Sequence, residues 1–172
     1  MRSRLMIELF ADGSFDPDLR VGSWAFVAYR EGLEVFHQSG SSTGASNNHF
    51  EVLAVLKATE WAVSRRFSGP VLIWTDSHYV MKGVHRLLPI WRNNGWRKVD
   101  RNPRNRKRPS PDRAIWQVLD RLLGDCPSIV VDWCKAHNGL CGNDRADFLA
   151  GVGRVSNPAD RSDESGEAAH RS

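Results

Sequence analysis

The sequence predicts an α/β fold: a five-stranded mixed sheet, three antiparallel strands followed by two parallel ones, flanked by helices. Two observations carry this. Three β-rich apolar runs separated by turn-like stretches open the chain, and downstream two more apolar runs alternate with segments of helical period. Residues 5–11 (LMIELFA), 22–30 (GSWAFVAYR) and 33–41 (LEVFHQSGS) form an early antiparallel meander. From Asn48 to about Arg66, Val52, Val55, Leu56, Thr59 and Val63 line one face, which predicts a long, well-buried helix. Ser68-Gly69-Pro70 stops it, and VLIWT at 71–75 is the continuous apolar run of a strand buried on both faces. Helix follows again after Asp76. Ser110 is the expected N-cap, with Pro111 at the first helical position, of a helix that carries Ile115, Val118, Leu119 and Leu122 and stops at Gly124. Ile129 to Cys134 reads as the fifth strand, and residues 142 to about 152 as the last helix.

The chain has 172 residues, 41% of them hydrophobic and 26% charged, which excludes collagen-like, disordered and disulfide-scaffold classes. One domain over residues 1–153 is expected, large enough to form a core without staples. Cys126, Cys134 and Cys141 are an odd number without C-x-x-C spacing, so reduced thiols are expected rather than a bridge or a zinc ribbon. The apolar stretch near the amino terminus is short and broken by Glu8, unlike a signal peptide, and nothing approaches the roughly 20 apolar residues of a membrane span. A cytoplasmic location with no membrane partner is the expectation. Residues 154–172 lack apolar periodicity and are expected to form a disordered tail.

Charge is unevenly distributed. Between Lys82 and Arg113 stand eleven basic residues and two acidic ones, a net +9 in a chain whose total is +4. A concentrated basic segment in an otherwise acidic domain is the footprint of phosphate-backbone binding, although a solvated loop has the same composition.

Four acids occupy unusual places. Asp12 ends the first apolar strand, and Asp76 ends the VLIWT strand. If those strands are neighbours, both carboxylates emerge at the same carboxyl-end edge, where open α/β sheets place ligands. Glu51 lies in the first turn of the long helix, and Asp147 one turn into the last helix, four residues after Asn143. Any one of these acids also reads as a helix cap or a solvated group. A cluster of all four requires compensation, because neighbouring like charges repel and are costly to desolvate. A divalent cation is the simplest compensation: all-oxygen ligands suit Mg²⁺ or Mn²⁺, and paired ions about 3.5–4 Å apart support phosphodiester cleavage. His137, in the AHNG stretch before the last helix, could move a proton or help release product.

The ordered set D-G-S (12–14), N-N-x-x-E (47–51), T-D-S-x-Y-V (75–80) and H-N-G-x-x-G-N-D-R-A-D (137–147) resembles the type-one ribonuclease H family. W-R-N-N-G-W at 91–96, then basic residues, then A-I-W-Q at 114–117 look like that family's basic handle, here about residues 82–113, and its next helix. The resemblance spans roughly residues 5–152. It implies a ribonuclease H-like fold in which Asp12, Glu51, Asp76 and Asp147 bind metal and, with His137, carry catalysis. It also implies Mg²⁺, with Mn²⁺ as a substitute, and two ions per site once substrate is bound. Gly13 and Ser14 would lie where backbone approaches the RNA strand, and Asn47 and Asn48 where side chains reach the minor groove. The handle, including Arg97 and Lys98, would grip the DNA strand, with Trp91 and Trp96 as packing or as a sugar-contact surface. Asn143 would support the histidine loop and the metal end of its helix.

Two departures stand out. FDPDLRVGS, with Asp16 and Asp18, replaces the glycine-rich turn of bacterial relatives, and His78 replaces a frequent glutamine. The implied activity is endonucleolytic hydrolysis of the RNA strand of RNA–DNA hybrids by a monomer, leaving 5′-phosphate and 3′-hydroxyl ends. Alternatives are a nuclease of the same fold acting on another structured nucleic acid, a non-catalytic hybrid-binding module, and a basic scaffold that recruits partners through residues 82–113.

Overall fold

Ile7, Leu9 and Ala11 bury one face of strand β1 (Ile7–Asp16) in the main core, and Phe10 buries the other face in a smaller cluster with Val27 and Ala146. A strand covered on both faces belongs in the middle of a sheet. The computed structural model, which describes residues 6–135 and 141–155, has the sheet order β3-β2-β1-β4-β5. β2 (Val21–Arg30) pairs antiparallel with β1 on one side and with β3 (Leu33–Thr43) on the other, a meander, whereas β4 (Val71–Thr75) pairs parallel with β1 and β5 (Ile129–Trp133) parallel with β4. This is the mixed sheet that the alternation of periods predicts.

Helix α1 (Asn47–Arg65) packs its Val52, Val55, Leu56 and Thr59 face on β1, β2 and β4. Ser46 caps it, accepting from the His49 amide, and Arg66 ends it in the left-handed region. Helix α2 (His78–Lys82), capped by Ser77, continues through a π-helical turn (Gly83–Leu87) into α3 (Leu88–Asn93). The widened turn lies where Trp116 presses on the backbone, since a Cβ on Gly83 would stand 2.1 Å from its ring. α4 (Arg113–Asp125) packs on α1, and α5 (Cys141–Val155) crosses β1, β2 and β3 on the opposite face. No helix of the described residues is long and apolar enough to cross a membrane.

Four expectations need correction. β1 does not end at Asp12: its ladder with β2 continues to Asp16↔Val21, and an Asx turn, with Asp16 Oδ1 accepting from the Asp18 and Leu19 amides, closes the hairpin. β4 is sealed on one face only, with Leu72 and Trp74 half-buried, because α5 lies over the other strands. Ser110 is not the N-cap of α4: the helix begins at Arg113 with Asp112, at φ 51°, before it, and the Ser110 hydroxyl is buried without bonding a helix amide, while its own amide donates to the Trp96 carbonyl at the root of the basic loop. The last helix continues to Val155, so Arg154 belongs to the domain rather than to a tail. Residues 156–172 and His137 lie outside the described residues.

The basic loop is tied at its base. Lys98 N–H donates to Arg108 C=O and Ser110 N–H to Trp96 C=O, around a bridge between Arg97 and Pro109. Within it the Arg106 guanidinium donates to the carbonyls of Asp100 and Arg101.

Candidate active site

The parallel register fixes the first pair of acids. Ile7 lies opposite Val71 and Phe10 opposite Trp74, so two residues further along each strand direction Asp12 and Asp76 come level. Asp12 is 6% exposed and accepts from the Gly13 amide at 2.9 Å. Gly13 then brings in the third acid. A Cβ at this position would stand 2.4 Å from the Glu51 nitrogen and from the Phe50 carbonyl carbon, so only glycine lets the first turn of α1 rest on β1. Glu51 is delivered, 8% exposed, beside Asp12. Ligand oxygens of Asp12, Glu51 and Asp76 lie within 4.8 Å of one another.

Burial and mutual repulsion act strongly on this group. Desolvation, then the charges of Asp76 and Asp147, push the Asp12 carboxyl up to about 7 against the stabilising Gly13 amide. Desolvation, then Asp12 and Asp76, push Glu51 up to about 9, with Asn47 and Gly13 opposing. Asn47 Nδ2 donates to Glu51 Oε1 at 2.9 Å, while Glu51 Oε2 is buried without a hydrogen-bond partner. An orphaned carboxylate oxygen facing two further carboxylates is the donor set of a hard divalent cation, so the residues present fit Mg²⁺ or Mn²⁺.

A buried chain of polar groups holds Asp76. Asn143, 1% exposed, donates from Nδ2 to Asp76 Oδ2 at 3.3 Å and accepts the Cys134 thiol on Oδ1 at 3.4 Å. Burial, with the charges of Asp76 and Asp12, pushes that thiol up to about 11, so it remains a neutral donor. Asn143 is therefore a buried support, too enclosed to touch a substrate. Asp147 is exposed on α5 and acts on Asp12 through its charge and a side-chain hydrogen bond, outside the group of three.

Among the other positions singled out from sequence, Ser14, Asn47, Asn48 and His78 are at least partly exposed around the acids, whereas Gly13 is buried under α1. The His78 ring stacks on Trp133, 5.8 Å away and 16° from parallel. Trp91 is 2% exposed and packs between Trp96 and Trp116, so it fills the root of the handle rather than offering a surface for sugars. Arg97 is exposed, and Lys98 pairs with Asp100 at 3.2 Å. Lys98, Lys82 and Arg86 line a cavity of about 330 Å³ floored by Tyr79, Ile90 and Trp91.

Sequence reasoning missed two further features. Asp112 accepts from His49 Nδ1 at 2.8 Å and from the Tyr79 hydroxyl at 3.3 Å, and Trp116 Nε1 donates to that hydroxyl at 3.2 Å, which ties α1, α2 and α4 together behind Glu51. Arg154 reaches Ser14, two residues beyond Asp12. Neither carries a local sequence signal, because both partners lie far away in the chain.

Comparison with known proteins agrees with this geometry. The RNase H family profile matches residues 5–154. Ribonuclease H of Polynucleobacter asymbioticus is 36% identical over 147 residues, covering 86% of this chain and 88% of its own, and that of Cupriavidus pinatubonensis is 35% identical over 150 residues, covering 86% and 94%. Among solved structures, a foamy viral protease-reverse transcriptase in complex with an RNA/DNA hybrid superposes with a TM-score of 0.72 at 24% identity, over 90% of this chain and 20% of that much longer one; this likeness is one of fold. With the profile spanning nearly the whole described domain and curated relatives above one-third identity over most of its length, the chain belongs to the ribonuclease H family.

Proposed function

We infer that this protein is a metal-dependent endoribonuclease that hydrolyses the RNA strand of RNA–DNA hybrids. The observation that carries the reading is the convergence of Asp12, Glu51 and Asp76 from three separate elements around a buried, unpartnered Glu51 oxygen, in a chain of this family. A divalent ion bound there supplies Lewis-acid activation of water and neutralises charge on the leaving oxygen. The chain's own part is preorganisation. Asn47 fixes one Glu51 oxygen, Asn143 fixes one Asp76 oxygen, and the Gly13 amide fixes Asp12, so the ligands are held before substrate arrives. Asp147 extends the acidic edge toward α5 and is proposed as the fourth acid of the reaction, with His137 moving a proton at the departing 3′ oxygen, so that products carry 5′-phosphate and 3′-hydroxyl ends. Two ions per site with substrate bound, Mg²⁺ in preference to Mn²⁺, a monomeric state and a cytoplasmic location belong to the same reading.

Selectivity for the hybrid would come from exposed Asn47, Asn48 and His78 reading 2′-hydroxyls in the minor groove, while the basic loop meets the DNA strand. The foamy viral relative of this fold has been captured with such a hybrid. The test is one gel with labelled hybrid, RNA duplex, single-stranded RNA and DNA duplex, each with Mg²⁺, Mn²⁺ or chelator. Cleavage of the RNA in the hybrid alone, abolished by chelator, is expected. Equal or greater activity on DNA duplex would overturn the assignment.

A further inference from the structure

The last turn of α5 presents a cation to the acidic edge. Ser23 Oγ donates to the Ala150 carbonyl, and Gly153 lies so close to Ser23 that a Cβ there would stand 3.2 Å from the serine Cβ. These two contacts seat the end of α5 on β2. Ser23 is the register partner of Ser14 on β1, so the helix end also lies over β1 just beyond Asp12. From there Arg154 Nη1 donates to Ser14 Oγ at 3.1 Å. Ser14 and Asp12 share a face of the strand, about 7 Å apart along it.

Among the described residues no carboxylate lies within ion-pairing distance of the Arg154 guanidinium, although Asp12, Glu51 and Asp76 cluster at the neighbouring edge. By contrast Arg145, two turns earlier on α5, is paired with Glu34. Arginine has five donors in a planar fork, and among the described residues one is engaged, by Ser14, which leaves a face suited to bidentate binding of a phosphate. A strand entering a site lined with carboxylates must bring flanking phosphates past them, and an unpaired cation at that point offsets the repulsion.

We propose that Arg154 is a substrate-binding residue that holds a backbone phosphate of the RNA strand next to the scissile one, with Ser14 setting its position. This deepens the proposed function and rests on it. Favourable interaction with the negative end of the α5 dipole is a purely structural role for the same side chain, and the test separates the two.

The experiment measures KM and kcat for a labelled RNA–DNA hybrid in Mg²⁺ over a range of salt concentrations, for the parent, Arg154→Gln and Arg154→Lys, with melting temperatures alongside. Loss of one charge-assisted contact should raise KM about ten-fold for Arg154→Gln, with the loss falling on KM rather than kcat. Its log KM against log[salt] slope should flatten by about 0.7–0.9, the value of a single phosphate contact. Arg154→Lys should keep the parental slope. An unchanged KM and slope in Arg154→Gln, with or without a lower melting temperature, would overturn the proposal while the parent's hybrid cleavage leaves the proposed function standing. A parent that cleaves no hybrid would overturn both.

Discussion

Gly13 and Glu51 touch through their backbones: the position a Cβ would take on residue 13 lies 2.4 Å from the Glu51 nitrogen. The contact carries the first turn of α1 onto the centre of the sheet and so sets how deeply Glu51 reaches toward Asp12. Gly13→Ala must therefore push the two elements apart, since neither side of the contact is a flexible side-chain end. Overpacking of this kind costs about 1–3 kcal/mol. Denaturant unfolding should register that loss, and cleavage should fall much further than stability, because the displacement separates metal ligands. Wild-type activity in a folded Gly13→Ala variant would show that the close approach is not needed.

The raised carboxyls of Asp12 and Glu51 make a prediction about pH. Their ordinary values are 3.8 and 4.5, and in the fold they stand at about 7 and about 9. Between the ordinary and the raised values the folded protein binds more protons than the unfolded chain, so metal-free stability is fullest below about pH 4 as far as these two groups are concerned, and is lost as pH rises toward 9. Calorimetry in chelator should find the melting temperature falling from pH 5 to pH 9, with Mg²⁺ restoring it most at the alkaline end. Asp76→Asn should abolish hybrid cleavage yet raise the metal-free melting temperature, because it removes one of the charges that repel Asp12 and Glu51. A metal-free melting temperature that climbs with pH over that interval would contradict the assignment of these carboxyls as a mutually repelling cluster.

Asn143 acts on Asp76 from behind. Asn143→Ala removes the amide that donates to Asp76 Oδ2 and leaves the Cys134 thiol without its acceptor. Loss of such support around a metal site typically costs 10–100-fold in metal affinity or activity. The Mg²⁺ concentration for half-maximal cleavage should rise accordingly, and a Mg²⁺ titration identical to the parent's would remove Asn143 from this role.

Asp112 is held at φ 51° without a side-chain cap bond to its own helix, while its carboxylate serves His49 and Tyr79. Asp112→Asn keeps an acceptor and a residue type that tolerates the left-handed region, so it should stay within about 1 kcal/mol of the parent. Asp112→Ala loses both bonds and retains the strain, and should cost about 2 kcal/mol or more. Equal stabilities of the two variants by urea unfolding would mean that the carboxylate ties nothing together.

How much of this was legible in the sequence follows from the range of the interactions. The sheet, the long helix and the level placement of Asp12 and Asp76 are legible because each depends on local period or on the common direction of neighbouring strands. The extent of β1 past Asp12 is not, since the turn-like stretch from Gly13 to Asp16 carries no strand pattern of its own and is held by pairing with β2. Ser110-Pro111-Asp112 reads as a cap by local rules, and tertiary bonds to Trp96, His49 and Tyr79 override them. The support of Asp76 by Asn143, across 67 residues, and of Ser14 by Arg154, across 140, has no local trace at all. Arg154 in particular stands at the head of a polar stretch whose composition suggests a tail.

The basic loop gives the last prediction, and its structure divides its cations into two groups. Arg106 is engaged by the Asp100 and Arg101 carbonyls and Lys98 by Asp100, so replacing either loosens the loop. Arg97, Arg101, Arg104, Lys107 and Arg108 are exposed, and no ion pair engages them among the described residues. If these five track the DNA backbone, their neutral replacements should raise KM for hybrid progressively and flatten its salt dependence, each by about 0.9 on a B-form reference. Turnover at saturating hybrid should barely change, since weakened uniform binding does not reach the chemical step. Arg106→Gln should differ in kind, lowering the melting temperature as well as the affinity. A solvated loop with no partner would leave KM and its salt slope at the parental values. Collapse of turnover at saturating substrate with KM unchanged would instead mean that the loop shapes the acidic centre itself, although hydrogen bonds tie Asp12 to Gly13 and Asp76 to Asn143, and the loop is rooted on Trp96 and Ser110.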